Sequence, residues 1–385
     1  MRVLIAAGGT GGHVYPALAV AEALNQQFAE VGLYFVGTVD GFERPLIEQS
    51  TIPFVAHDEV QAGPLHGVNP VKMVTSLAKL SIGTLQAFRL LRRHRPQVIL
   101  STGGWVSLPV ALASRVLGIP MLIFLPDIEP GLTIKYLRFL ARKVALTVAE
   151  SAQYFREGQT VVTGYPLRKA MLEAAEQTAN RESPNFMAAL AHFGLESGCK
   201  TVLVFGGSRG ARAINIAVIE ILPQLLAAGY QIIHVTGTLD ADRTREQVDA
   251  LGELPFAEHY HPYAYLHEDM ALSMAVADVV VCRAGASTLA EFPLFGLPSI
   301  LIPLAYSWRY QQVNADYLAE RGAAIHLMEE HMTGQLFDTI QSVLQDEQRL
   351  SDMREAARAL ARPDGAMNVA RELNQLAAPL AGTDS

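Results

Sequence analysis

The sequence predicts an α/β protein of two tandem parallel-sheet domains. Three observations predict it: a strand–glycine loop–helix opening that occurs twice, short apolar runs without alternation, and 385 residues, too many for one ordinary core. The run 2–7 is short, apolar after Arg2 and without alternation, as expected of a strand buried on both faces. After a glycine turn, 14–28 carries Ala17, Leu18, Ala21, Leu24 and Phe28 at helical spacing. Stretches 33–36, 97–101, 120–124 and 144–148 are further buried-strand candidates with helices between them, and 161–163 closes the series at Gly164-Tyr165-Pro166. Residues 172–198 lack a strand. The pattern then restarts: strand 200–205, glycine loop 206–210, helix 213–228, and strands 231–235, 257–261, 279–282 and 299–302. Alternation of this kind means parallel sheets covered by helices, with a cleft expected between the two domains. A helical stretch at 349–376, broken at 363–365, is expected to pack over the surface.

Composition narrows the class. Half the residues are apolar and 18% are charged, which excludes a disordered chain, a fibrous repeat and a coiled coil. Two cysteines, Cys199 and Cys282, exclude a disulfide scaffold, are too few for a structural zinc site, and fit a reduced compartment. The amino terminus makes a poor signal peptide, and no run approaches the roughly 18 apolar residues of a spanning helix. A cytoplasmic enzyme is expected. Between residues 60 and 143 lie eleven basic residues and two acidic ones, so that segment carries +9 and the rest of the −8 chain carries −17. The island is rich in Leu, Ile, Val and Ala and has neither aromatic interleaving nor a nucleic-acid motif. It therefore reads as a surface for an anionic membrane rather than a nucleic-acid groove, the alternative being a solvated helix face.

Three glycine loops carry the chemistry: Gly8-Gly9-Thr10-Gly11-Gly12-His13, Gly103-Gly104-Trp105-Val106-Ser107, and Gly206-Gly207-Ser208-Arg209-Gly210-Ala211, with a fourth turn at Arg283-Ala284-Gly285-Ala286-Ser287-Thr288. Glycine lets backbone N–H groups approach an oxyanion, and a helix amino terminus adds partial positive charge, so diphosphate is the expected guest. One such loop also fits a merely tight turn; four favour phosphate ligands. No Gly-Lys-Ser/Thr is present, which disfavours ATP or GTP hydrolysis. A dinucleotide fingerprint fails as well, since its third glycine falls on Val14. Asp240 and Asp242 read as a solvated loop more than a metal pair, and no cluster of His, Cys and carboxylate has ligand spacing, so no metal is expected.

Taken in order, these loops resemble the MurG-type glycosyltransferases of peptidoglycan synthesis, which have the GT-B architecture. The matching pieces are 8–13, Gly-Gly-x-x-Ser-x-Pro at 103–109, Gly-Leu-Thr-x-Lys at 131–135, Gly-Gly-Ser-x-Gly-Ala at 206–211, Cys-Arg-x-Gly-Ala-x-Thr-x-x-Glu at 282–291, Gly-Leu-Pro at 296–298, and Gln311-x-x-Asn314-Ala315. Such enzymes move N-acetylglucosamine from UDP-N-acetylglucosamine to lipid-linked muramyl-pentapeptide at the inner face of the cytoplasmic membrane, peripherally, by a single inverting displacement. The resemblance implies 1–165 as the acceptor-binding, membrane-facing domain and 166–198 as a linker. It also implies 199–345 as the UDP-sugar domain and 346–385 as a helical segment packing back across both. The partners implied are the UDP-sugar, the lipid-diphosphate acceptor and the anionic inner leaflet, with no cofactor beyond the donor.

Individual residues follow. Ser208 and the N–H groups near it would hold the UDP diphosphate, with Ala286, Ser287 and Thr288 facing the phosphates. Glu291 would accept both ribose hydroxyls, or else merely complement the helix dipole. The resemblance places Gln311, Thr10, Gly11 and Gly12 against the donor sugar and Arg168 near the donor, the alternative for Arg168 being a linker salt bridge. On the acceptor side Gly103, Gly104 and Ser107 would cradle the lipid diphosphate. His13 is the candidate general base for the muramyl hydroxyl; the rival is a hydrogen bond to its turn or to the acceptor phosphate. Departures from the family pattern are Phe124-Leu125-Pro126-Asp127 where His-Glu-Gln-Asn is usual, which makes a polar patch of cleft wall apolar, Trp105 for Tyr, and the altered 306–310. Asp127 stands where the family asparagine reaches the donor sugar. Alternatives are a GT-B enzyme with another lipid acceptor, a UDP-sugar epimerase, and a non-enzymatic binding subunit.

Overall fold

The computed structural model describes residues 1–41, 43–64, 69–207, 210–304 and 309–378. The chain divides into two compact units, Met1–Lys169 together with the chain from Pro363, and Ala170–Arg362. The stretch 166–198, expected as a linker, holds two helices and goes with the second unit from Ala170.

In the first unit seven strands, β1 (Arg2–Ala7), β2 (Gly32–Thr38), β3 (Phe54–Val60), β4 (Val98–Gly103), β5 (Met121–Leu125), β6 (Lys143–Leu146) and β7 (Thr160–Val162), form an all-parallel sheet in the order β3-β2-β1-β4-β5-β6-β7. Helices α1 (Gly11–Gln27), α2 (Glu43–Glu48), α3 (Pro70–His94), α4 (Ser107–Leu117) and α5 (Leu132–Leu137) cover it. Strand β1 is apolar from Val3 onward because it is central: Val3, Leu4, Ile5, Ala6 and Ala7 are fully buried. The order reverses between β1 and β4, so the turns leaving those two strands lie side by side at the carboxyl end of the sheet.

The second unit repeats this plan. Its helices α6 (Lys169–Gln177), α7 (Pro184–His192), α8 (Arg212–Ala227), α9 (Ala241–Asp249), α10 (Met270–Val276), α11 (Thr288–Phe295), α12 (Tyr310–Glu320), α13 (Met332–Leu344) and α14 (Glu347–Ala359) surround a parallel sheet of β8 (Thr201–Phe205), β9 (Gln231–Val235), β10 (Tyr260–Tyr263), β11 (Val279–Cys282), β12 (Ser299–Leu301) and β13 (Ala324–His326). The order is β10-β9-β8-β11-β12-β13, with the reversal between β8 and β11. The last helix, α15 (Gly365–Ala377), returns to the first unit and packs on α1. It buries Val369, Ala370 and Leu373, while Lys143 Nζ meets Glu372 Oε2 at 2.6 Å and Asn368 Nδ2 donates to Thr163 O at 3.0 Å.

Two sequence expectations are corrected here. Phe124 and Leu125 belong to β5 and are fully buried, Phe124 lying edge-on to Tyr165 at 5.6 Å, so they are core and not cleft wall. Strands β3 and β13, which carried no apolar signal, are both edges of their sheets.

Candidate functional site

At the first switch point the two glycine turns press together. A Cβ on Gly104, which holds φ +84°, would fall 2.3 Å from Gly8 O, so only glycine lets the turns approach. Behind them Glu43, 1% exposed, accepts hydrogen bonds from Gly9 N at 3.3 Å and from Thr38 N. This buried carboxylate holds the back of the first turn. No sequence signal marked it beyond the glycines Gly37 and Gly41 around it, whose added Cβ atoms would strike it.

His13 stands in the first turn of α1. Its Nδ1 lies 3.2 Å from Gly8 O and 3.2 Å from Thr10 Oγ1. A carbonyl oxygen can only accept, which assigns the proton to Nδ1 and leaves the Nε2 lone pair as the basic site. Desolvation lowers the His13 pKa below 6.5, opposed by the Gly8 carbonyl, so the imidazole is neutral at pH 7. The reading of His13 as bonded to its own turn is therefore met at Nδ1, while Nε2 carries the lone pair. Thr10 and Gly12 are exposed beside it and Gly11 is buried.

Ser107 is corrected. It is fully buried; its hydroxyl donates to Gly103 O at 2.9 Å and accepts from Ser101 Oγ at 2.7 Å, so its side chain locks the second turn from behind. Only the backbone of Gly103 and Gly104 remains for an anion. Arg168 makes no salt bridge among the described residues; its guanidinium sits over the Tyr15 ring at 4.8 Å. Asp127 lies partly exposed beyond the carboxyl end of β5.

In the second unit, Gly207 (φ +91°) and Gly210 (φ +76°) shape the turn after β8, and Gly210 backs onto Thr236 O. Ser208 and Arg209 fall outside the described residues, as do 305–308. A fully buried chain supports the turn: Asn215 Nδ2 donates to Thr236 O at 2.9 Å, His234 Nε2 meets Asn215 Oδ1 at 3.1 Å, and His234 Nδ1 meets Tyr260 OH at 2.9 Å. Burial pulls the His234 pKa down to about 4, so it serves as a neutral linker.

The turn after β11 satisfies itself by short i→i+3 bonds: Thr288 N, Leu289 N and Ala290 N bond to Gly285 O, Ala286 O and Ser287 O. The N–H groups of Ala286 and Ser287 take no backbone acceptor among the described residues, and the Cα of Gly285 faces open space. The Thr288 side chain faces inward instead: Thr288 is buried and its hydroxyl donates to Gly285 O at 2.7 Å. Glu291, in the first turn of α11, receives Ser287 Oγ on Oε2 at 2.9 Å. From behind, Asn314 Nδ2 donates to Ala284 O at 3.2 Å, and Arg283 is committed to Ile302 O and Glu329. Gln311 Oε1 accepts from Leu304 N at 2.9 Å, which occupies one of the two lone pairs of its amide oxygen.

Two doubly wound units in tandem, each with a pair of glycine turns at its switch point, define a sugar-nucleotide glycosyltransferase of GT-B architecture. Residues 3–146 match the glycosyltransferase family 28 N-terminal domain and 201–369 its C-terminal domain. A protein named UDP-N-acetylglucosamine--N-acetylmuramyl-(pentapeptide) pyrophosphoryl-undecaprenol N-acetylglucosamine transferase from Roseiflexus sp. (strain RS-1) is 38% identical over 434 residues, covering 98% of this chain and 95% of that protein. One of the same name from Bacillus subtilis (strain 168) is 34% identical, covering 98% and 99%. The crystal structure of Acinetobacter baumannii MurG superposes with a TM-score of 0.73 at 27% identity, covering 97% and 99%. A UDP-GlcNAc 2-epimerase from Neisseria meningitidis shares the fold, with a TM-score of 0.68 at 12% identity over 97% of this chain and all of that one. The chain belongs to glycosyltransferase family 28, among its MurG-type N-acetylglucosamine transferases.

Proposed function

We propose that this chain transfers N-acetylglucosamine from UDP-N-acetylglucosamine to undecaprenyl-diphospho-muramoylpentapeptide, with inversion. The observation that carries the reading is the pairing of glycine turns in both units, on a chain whose whole length aligns with transferases of that name. Two diphosphates need two anion sites, and each unit offers one.

In the second unit the donor diphosphate takes the N–H groups of Ala286 and Ser287 and those of the turn after β8. Glu291 accepts the ribose hydroxyls, and the Gln311 amide donates to the sugar. In the first unit the backbone of Gly103 and Gly104 and the start of α1 hold the acceptor diphosphate, with Thr10, Gly11 and Gly12 against the sugar. Next to that turn Trp105, Leu108, Leu112 and Tyr136 line an apolar cavity of about 400 Å³, which suits the first hydrocarbon units of a lipid diphosphate. His13 Nε2 takes the proton of the muramyl hydroxyl as its oxygen attacks the anomeric carbon. The bond to UDP breaks on the opposite face, so the α donor yields a β linkage. Negative charge gathering on UDP is met by backbone dipoles already aimed at it. Arg168 and Asp127 are assigned to the donor side with less geometry behind them.

No helix among the described residues is long and apolar enough to cross a membrane. On α3, Val74, Leu77, Ile82 and Leu85 are exposed, and on α5 and beyond it so are Tyr136 and Phe139. Leu80 and Tyr136 line one cavity, which joins the two helices in a single apolar face among the basic residues of that segment. This supports peripheral attachment to the anionic inner leaflet. Incubation with UDP-N-acetylglucosamine and the lipid-linked muramyl acceptor tests the whole reading. Transfer is expected; turnover only with another lipid, or UDP release at full rate without acceptor, points to the other GT-B activities.

A further inference from the structure

The second sheet has a polar cluster at the end away from its glycine turns. Strands β8 and β10 are parallel members of that sheet, so the residues leading into them share its amino end. Cys199 stands just before β8, Glu196 precedes it on the loop after α7, and His259 ends the short 3-10 turn Ala257–His259 before β10. One ligating atom from each lies within 4.8 Å of the others. Glu196 Oε1 is 3.7 Å from His259 Nε2, and Glu196 Oε2 is 3.9 Å from Cys199 Sγ. Around a tetrahedral cation with bonds near 2.0–2.3 Å, ligand atoms stand roughly 3.3–3.5 Å apart. With all three atoms within 4.8 Å of one another, closing the set draws them together by up to about 1.5 Å.

The cluster is built rather than loose. Fully buried Gln231 grips its loop with both ends of the amide: Oε1 accepts from Glu196 N at 2.6 Å, and Nε2 donates to Glu196 O at 3.1 Å and Cys199 O at 3.4 Å. The His259 ring stacks on Phe256 with centroids 5.8 Å apart and 16° between planes. Phe256 holds φ +51°, a left-handed conformation that costs an aromatic residue energy, and so turns the chain to deliver that imidazole. His259 is 8% exposed, and its Nδ1 is buried without a hydrogen-bond partner; Nε2 of neighbouring His261 is likewise buried and unpartnered. The His259 atom that faces the cluster is Nε2, across the ring from that Nδ1.

We propose that Glu196, Cys199 and His259 bind a borderline-soft divalent cation of the zinc type, with water completing the coordination. Thiolate, imidazole and carboxylate together suit zinc and its cobalt surrogate over calcium or magnesium. On binding, Cys199 releases its proton to solvent while Glu196 and His259 each contribute a lone pair. Exposed Glu196 gives the cation its way in. Spacing along the sequence does not reveal this group, because its residues come from loops far apart in the chain. The site lies apart from the glycine turns and stands independently of the sugar-transfer reading.

Cobalt(II) titration of the reduced, metal-stripped full chain tests it. A near-ultraviolet thiolate-to-cobalt charge-transfer band is expected to saturate at one ion per chain and to vanish on adding zinc. Cys199→Ser should abolish the band without changing sugar transfer, and Glu196→Gln should raise the cobalt Kd at least tenfold. Zinc should raise the Tm of the wild type and not that of Cys199→Ser. No charge-transfer band in the wild type, or a band that survives Cys199→Ser as an adventitious ion would, overturns the proposal.

Discussion

The His13 ring lies against the bare α-carbon of Gly103: a Cβ built there would stand 2.6 Å from Cδ2 and 2.8 Å from Nε2. Gly103 also holds φ +119°, closed to most side chains. Gly103→Ala is therefore expected to displace the base rather than merely strain the turn. Its kcat should fall toward that of His13→Gln, for which general-base loss predicts a drop of roughly 10²–10⁴-fold. UDP affinity, read by calorimetry, should be unchanged in both.

The lowered pKa of His13 fixes the direction of the pH dependence. A base works unprotonated, and a folded pKa below 6.5 keeps it so into mildly acidic solution. In a pH profile of kcat/KM the acidic limb should fall below pH 6.5 and disappear in His13→Gln.

Glu291 and Ser287 share one hydrogen bond at the start of α11. Removing the carboxylate deletes the proposed ribose acceptor, so Glu291→Ala should weaken UDP binding by about 1.5–3 kcal/mol, the range for hydrogen bonds to charged groups. Ser287→Ala, which removes one hydrogen bond to that carboxylate, should cost about 1 kcal/mol. A Glu291→Ala change of a few tenths in calorimetry would refute the ribose role.

Attachment through α3 should combine two forces. Partition onto vesicles containing anionic lipid should weaken as salt shortens the Debye length, by about 1 kcal/mol for each basic residue neutralised. Ile82→Asp and Leu85→Asp, both at exposed positions, should weaken it at any salt. Salt-insensitive binding would leave the apolar patch as the sole cause. The stretch 65–95 is the expected contact, of which 65–68 lie outside the described residues.

His234 makes stability depend on acid. Its pKa of about 4 lies below the 6.5 of an unfolded histidine, so protonation favours unfolding. The contribution is complete above pH 6.5 and is lost as pH falls toward 4, a change of about 3 kcal/mol at 1.36 kcal/mol per pKa unit. Urea unfolding at pH 7 and pH 4.5 should show a drop that His234→Gln reduces.

The central strands were legible because burial on both faces demands an uninterrupted apolar run; Arg2–Ala7, Gln231–Val235 and Val279–Cys282 have the bounds expected of them. The edge strands β3 and β13 were not. Phe54–Val60 carries His57, Asp58 and Glu59, which an edge tolerates and a central strand would not. The glycine turns were visible as motifs, but the direction of a side chain within a turn was not. Ser107 and Thr288 read as phosphate ligands and instead turn inward to close their own loops. Glu43, Asn215 and His234 were missed because each acts through a partner distant in sequence, and only folding brings the pairs together.

The central claim is that the second unit grips the nucleotide at the turns after β8 and β11. A crystal structure with UDP bound measures it directly. The account predicts the diphosphate on the N–H groups of Ala286 and Ser287 and the turn at Gly207–Gly210, with the ribose on Glu291. Density for UDP at any other place on the chain would contradict it.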